Sequence, residues 1–215
     1  NLIAGLLGTE GSHSLDGDLD NIKRLYDAGF RMMSLQHFFD NKLGGSLHGE
    51  SNTGLTDFGR EAVRLMDSMG IMIDVSHSSP QVVGDVLNLI DSPLIVSHTG
   101  FKGHCDQKRN ISDDLMMRIA ERGGLIGVGF WSEAVCGIGV AALADAIAYG
   151  VETFGVDAVA LGSDWDGAVT TPIAANDLAY LTSAVLKRGL SEDHIRAVMG
   201  GNTIRYFLEH LPATD

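Results

Sequence analysis

Two short apolar runs, IMIDVSH (71–77) and PLIVSH (93–98), each end in Ser-His. Between them lies a helix-like segment, SSPQVVGDVLNLIDS. Two β-branched runs joined by one helix predict a βαβ unit with parallel strands. Parallel strands point their carboxyl ends the same way, so His77 and His98 are expected side by side on one face of a sheet. Either histidine alone reads as a strand cap bonded to a loop carbonyl. The repeated placement points instead to a metal site.

The same alternation runs through the chain. Strands are predicted at 2–9, 30–37, 71–77, 93–98, 125–130 and 158–164, ending at Glu10, His37, His77, His98, Phe130 and Asp164. Helices are predicted from Asp18 to Gly29, from the N-cap Thr56 to Gly70, over 79–91, and from Ser112 to Gly123. Three more follow at 139–154, at 176–188, and at 191–211 with Ser191 as N-cap. No repeat or linker divides residues 1–215, which read as a single domain. Near-continuous apolar strands alternating with helices define an α/β protein with a parallel sheet.

Two architectures satisfy that pattern, a doubly wound open sheet and a (β/α)8 TIM-type barrel. The glycines fit neither GxGxxG nor a P-loop, which a doubly wound nucleotide binder should carry after a strand. Five of the six predicted strands end in His, Glu or Asp. A barrel assembles its site from many strand ends in this way. Six strands do not close a barrel that typically needs ~250 residues. The chain also opens inside an apolar run. The expectation is a barrel missing its first two βα units, with Glu10 ending the third strand and Asp164 the eighth.

Composition narrows the partners. A net charge of −13 argues against a nucleic-acid backbone or an anionic membrane surface. No apolar run reaches the ~18–20 residues of a membrane span, and no signal peptide is visible. Cys105 and Cys136 form no CxxC pair and are expected as free buried thiols in a reducing compartment, hence a cytoplasmic location.

Two imidazoles with carboxylates suit a borderline cation such as zinc. The Glu10 carboxylate could bridge two ions that share one hydroxide and polarise a scissile carbonyl. Asp164 could take the proton from that hydroxide and give it to a leaving amine. A bidentate Arg109 would suit a substrate carboxylate, although a solvated loop cation explains it too. Loop residues His13 and His48 could replace any of these ligands; His104, His194 and His210 are poorer candidates. Glu10 could instead cap the following helix, and Asp166-Gly167 could simply form a turn.

The segments GTEGSHSLDGDL, SLQHFFDN, LTDFGREAV, IDVSHSS, IVSHTG, RNISDD, LGSDWDG and GGNTIR resemble the renal (membrane) dipeptidase family, peptidase family M19, of the amidohydrolase superfamily. The likeness runs almost end to end and is strongest to the bacterial branch. It implies a (β/α)8 barrel with two zinc ions that hydrolyses dipeptides. By motif, Glu10 matches the bridging glutamate, and His77 and His98 match the ligands of the second ion. His37 matches the histidine that contacts substrate, Arg109 the arginine on the terminal carboxylate, and Asp164 the acid/base. The family's His-x-Asp ligands of the first ion have no match here. The resemblance therefore implies a zinc dipeptidase. A related amidohydrolase acting on an N-acyl amino acid or a β-lactam is one alternative, and a catalytically silent truncated module another. Family members often pair, so a homodimer is compatible with the likeness.

Overall fold

The structure is a computed structural model that describes residues 4–212. Leu2 and Ile3, the start of the expected first strand, lie outside the described residues. The described residues form two compact units, one running up to residue 95 and including the C-terminal stretch from 209, the other spanning residues 96–208.

In the first unit, β1 (Leu7–Thr9), β2 (Phe30–Ser34) and β3 (Met72–Asp74) run parallel in chain order. Met32 pairs with Met72 and Ser34 with Asp74. Ile95, the first residue of β4 (Ile95–Thr99), pairs with Asp74. Three helices follow their strands: α1 (Asp20–Asp27), α2 (Asp57–Ser68) and α3 (Pro80–Leu89). The predicted Thr56 cap holds, and Ser79 adds a second. The Thr56 side chain accepts from Gly59 N and the Ser79 side chain from Val82 N, each satisfying an amide left open by the first turn. Pro80 follows Ser79, where its fixed φ suits the first turn and its missing N–H costs nothing. Ala62, Val63 and Met66 on α2, and Val82, Val83 and Val86 on α3, form the buried faces of these helices.

The second unit continues the pattern with the rest of β4, then β5 (Leu125–Gly129) and β6 (Val159–Gly162), again neighbours in chain order. β5 and β6 are parallel, with Ile126 opposite Val159 and Gly129 opposite Gly162. The helices are α4 (Asp113–Glu121), a short α5 (Ser132–Val135), α6 (Val140–Phe154), α7 (Leu178–Leu186), α8 (Glu192–Arg196) and α9 (Asn202–His210). Strand order never reverses within either unit. A doubly wound sheet has a reversal point, whereas successive barrel βα units do not.

Two expectations need correction. The single helix over 191–211 is broken: Ser191 caps α8, but Gly200 takes φ 154°, and α9 begins only at Asn202. That backbone state suits glycine and ends regular helix. The break delivers the Asn202 side chain, which donates to Val156 O (2.7 Å) and Val159 O (2.8 Å) at the start of β6. The second correction concerns the cysteines. Cys105 and Cys136 are not free thiols but a disulfide, with Cα atoms 5.3 Å apart. One follows β4 and the other follows α5 behind β5, and these neighbouring strands bring together residues 31 apart in sequence. Such bonds persist in oxidising compartments, which removes the ground for a cytoplasmic assignment. Among the described residues, no helix is long and apolar enough to cross a membrane.

Candidate metal centre

In the first unit, three strand-end residues converge. Glu10 follows β1 directly, while His37 and His77 lie three residues beyond β2 and β3. Glu10 Oε1 is 3.0 Å from His77 Nε2 and 3.6 Å from His37 Nε2. The ligand atoms of all three lie within 4.8 Å of one another. Tetrahedral zinc with bonds near 2.1 Å spaces its ligand atoms about 3.4 Å apart. The two Glu10 separations fall on either side of that value. One carboxylate oxygen and two imidazole nitrogens are also the donor types zinc takes. The residues present fit the metal.

The rings themselves are packed. His37 and His77 meet edge to face at 4.7 Å, and Phe38 lies 4.3 Å from His37 between ring centroids. His48 joins this group at 5.3 Å from the His77 ring. His77 is buried and adopts a left-handed backbone, φ 64°, uncommon for a residue with a side chain. Strain of that kind persists only where neighbours over-determine it. His13 sits in the short helical turn Ser12–Leu15, its pKa lowered by burial and then by the charge of His37. Elsewhere, His104 packs on Tyr149, His194 donates its backbone N–H to the Ser191 cap, and His210 ends α9.

In the second unit, His98 lies in β4 and Asp164 two residues beyond β6. Their ligand atoms also come within 4.8 Å of each other. Asp164 is left-handed, φ 58°, and its carbonyl accepts from Gly167 N at 3.0 Å, so the Asp166-Gly167 turn is real. Arg109 is buried. Its guanidinium donates to His98 O (2.8 Å) and to Thr99 Oγ1 (3.0 Å) and lies 5.4 Å from the Trp131 ring centroid. It is a built element and not a solvated loop cation. Asn110, its neighbour, donates to Cys105 O and to Ala134 O, tying the loop after β4 to α5 beside the disulfide.

Sequence reasoning missed Trp131, which packs against both Arg109 and the His98 ring, the latter at 6.0 Å. Its signal was the aromatic pair directly after β5.

Parallel βα units that gather carboxylate and imidazole donors at the carboxyl ends of their strands define a metal-dependent hydrolase architecture of the amidohydrolase type. The sequence model of the membrane dipeptidase family, peptidase family M19, matches residues 1–211, and the chain belongs to that family. Solved structures agree. An amidohydrolase from Pseudomonas aeruginosa is 26% identical with a TM-score of 0.84, over 93% of this chain and 70% of its own. The dipeptidase AC, a metallopeptidase of family M19, is 25% identical with a TM-score of 0.85, over 97% and 66%. A metallopeptidase from Rhodobacter sphaeroides, solved with a phosphinate mimic of the dipeptide L-Ala-D-Ala, is 25% identical with a TM-score of 0.84, over 96% and 63%. The chain thus spans about two thirds of the length of these structures.

Proposed function

We propose that the chain is the catalytic part of a dinuclear zinc dipeptidase and that residues 1–215 work as one domain in it. The observation that carries this reading is the Glu10–His37–His77 cluster, set at zinc-like spacing in a chain of the dipeptidase family. Glu10 and His77 of this cluster, together with His98, would hold the metal, and His37 would face the substrate beside it. Bound zinc supplies Lewis acidity, polarising the scissile carbonyl and making water a better nucleophile.

The chain's own residues do the rest. Arg109 binds the substrate's terminal carboxylate through its planar fork, which limits substrates to those ending one residue past the scissile bond. His37 contacts the reacting carbonyl from the edge of the cluster. Asp164 accepts a proton from the attacking water and returns it to the leaving amine nitrogen. Its left-handed backbone supports this role, since strained residues concentrate where function needs a particular side-chain direction. Two chains pairing as a homodimer complete the reading; light scattering tests it.

The experiment is metal analysis of the purified protein, with a hydrolysis panel of dipeptides including L-Ala-D-Ala, N-acyl amino acids and a β-lactam. The expected result is bound zinc with turnover confined to dipeptides. Asp164→Asn should keep the zinc and lose about 100- to 10,000-fold in kcat, the range of general acid–base catalysis. Near-wild-type rates in that variant would remove Asp164 from its role. Turnover of the acylated amino acids alone would reassign the substrate.

A further inference from the structure

The loop between β2 and α2 contains a device that no metal or substrate role explains. Ser46 is buried, and its hydroxyl does several things at once. It donates to the His37 carbonyl, lies 3.3 Å from the His77 carbonyl, and accepts from His48 N at 3.1 Å. The next residue adds a second tie, as Leu47 N donates to His77 O at 2.7 Å. Ser46 is itself held. Its backbone N–H donates to Asp40 Oδ1 at 2.7 Å, and the other Asp40 oxygen accepts from Glu50 N (3.1 Å) and Ser51 N (2.9 Å). The turn is closed so tightly that a Cβ on Gly49 would fall 1.8 Å from Asp40 Oδ1.

These contacts meet a need visible in the backbone. His77 occupies a left-handed conformation that its side chain disfavours. The Ser46-Leu47 segment grips its carbonyl and, through the same hydroxyl, the carbonyl of the other histidine in the cluster. One short polar segment thereby couples two residues forty positions apart.

We propose that Ser46 is a positioning residue: its buried hydroxyl, on a backbone held by Asp40, fixes the backbones of His37 and His77 together and so sets the spacing of their imidazoles beside Glu10. The inference rests on the dipeptidase reading for its effect on turnover, but not for its effect on the rings. Small misplacements of a reacting constellation are costly, and groups that orient metal ligands affect affinity strongly.

The test uses the full chain as wild type, Ser46→Ala, Asp40→Asn, and Ser191→Ala as a stability control remote in sequence. The Asp40 variant loosens the same segment from its other end and serves if Ser46→Ala folds poorly. Imidazole carbon–proton spectra are recorded on metal-free protein. Zinc affinity, kcat and KM follow on the loaded form. In Ser46→Ala, the ring signals of both His37 and His77 should move together while those of His194 and His210 stay. Zinc affinity should fall about 10- to 100-fold, and kcat about 10- to 100-fold with a smaller change in KM. Asp40→Asn should follow in the same direction, and Ser191→Ala should lower the melting temperature without moving either ring. If both site variants leave the His37 and His77 signals in place, Ser46 is only a loop contact and the proposal is overturned. If the rings move but the wild type hydrolyses no dipeptide, positioning stands and the functional reading fails.

Discussion

In the first unit, the site histidines are held by polar contacts of one loop: the Ser46 hydroxyl, the Leu47 amide and the three amides gathered on Asp40. In the second, the corresponding loop is held by a covalent bond between Cys105 and Cys136, by Asn110, and by the buried Arg109 guanidinium beneath Trp131. The first arrangement depends on protonation and hydrogen-bond geometry. The second depends on redox state and on the packing of a cation. Two loops of one chain can therefore be held in place by means that fail under different conditions, and each failure has its own signature.

The largest effect should come from the second unit. Arg109→Ala should lower kcat/KM for dipeptides by about 100- to 1,000-fold, the loss of a bidentate charge-assisted contact of roughly 3–4 kcal/mol. Dipeptide amides, which lack the carboxylate, should lose far less; an equal loss on both would mean that Arg109 supports the loop and does not bind the substrate. Arg109→Lys should rescue little, because an ammonium cannot reproduce both the fork and the paired donation to His98 O and Thr99 Oγ1.

Next comes the disulfide. Replacing both cysteines by serine should cost about 2–4 kcal/mol in a urea melt. Hydrogen exchange should locate the loosening in residues 99–110 and 131–139, while 37–51 keeps its protection. Loosening of both loops to the same degree would collapse the distinction between the two regions.

Much of the framework was legible because it rests on local rules. Thr56 and Ser191 are caps by residue type and position, and they cap in the structure. The apolar runs carry all six strands, although the strands are shorter than the runs: His37 and His77 lie in the turns beyond, since those turns must bend the side chains toward one another. What stayed hidden depends on neighbours distant in sequence. The disulfide needs β4 beside β5. Ser46 finds its partners only after the loop folds back, and its sequence, GGSLHG, names no chemistry. The break before α9 falls at Gly200-Gly201, with helical sequence on both sides.

The smallest effect belongs to Asp40 as a stability element, and its sign can be worked out. Backbone donation by Ser51 lowers the Asp40 pKa below the ordinary carboxylate value; burial opposes it, and the Ser46 amide, the Ser51 side chain and the Glu50 amide lower it further. The folded state therefore prefers the ionised form more than the unfolded chain does. That preference stabilises the fold at all pH values above the unfolded pKa. It is lost progressively as pH falls through the depressed folded value. Asp40→Asn removes the charge and sets an amide group against donors that need an acceptor. The variant should melt below wild type at neutral pH, and the gap should narrow as acid protonates the wild-type carboxylate. Melting curves of both proteins from neutral to acid pH check this. A gap that stays constant through the acid range would show that Asp40 acts through shape alone. Reducing the disulfide in both proteins should leave the pH dependence of the gap unchanged, because the two loops are held by independent means.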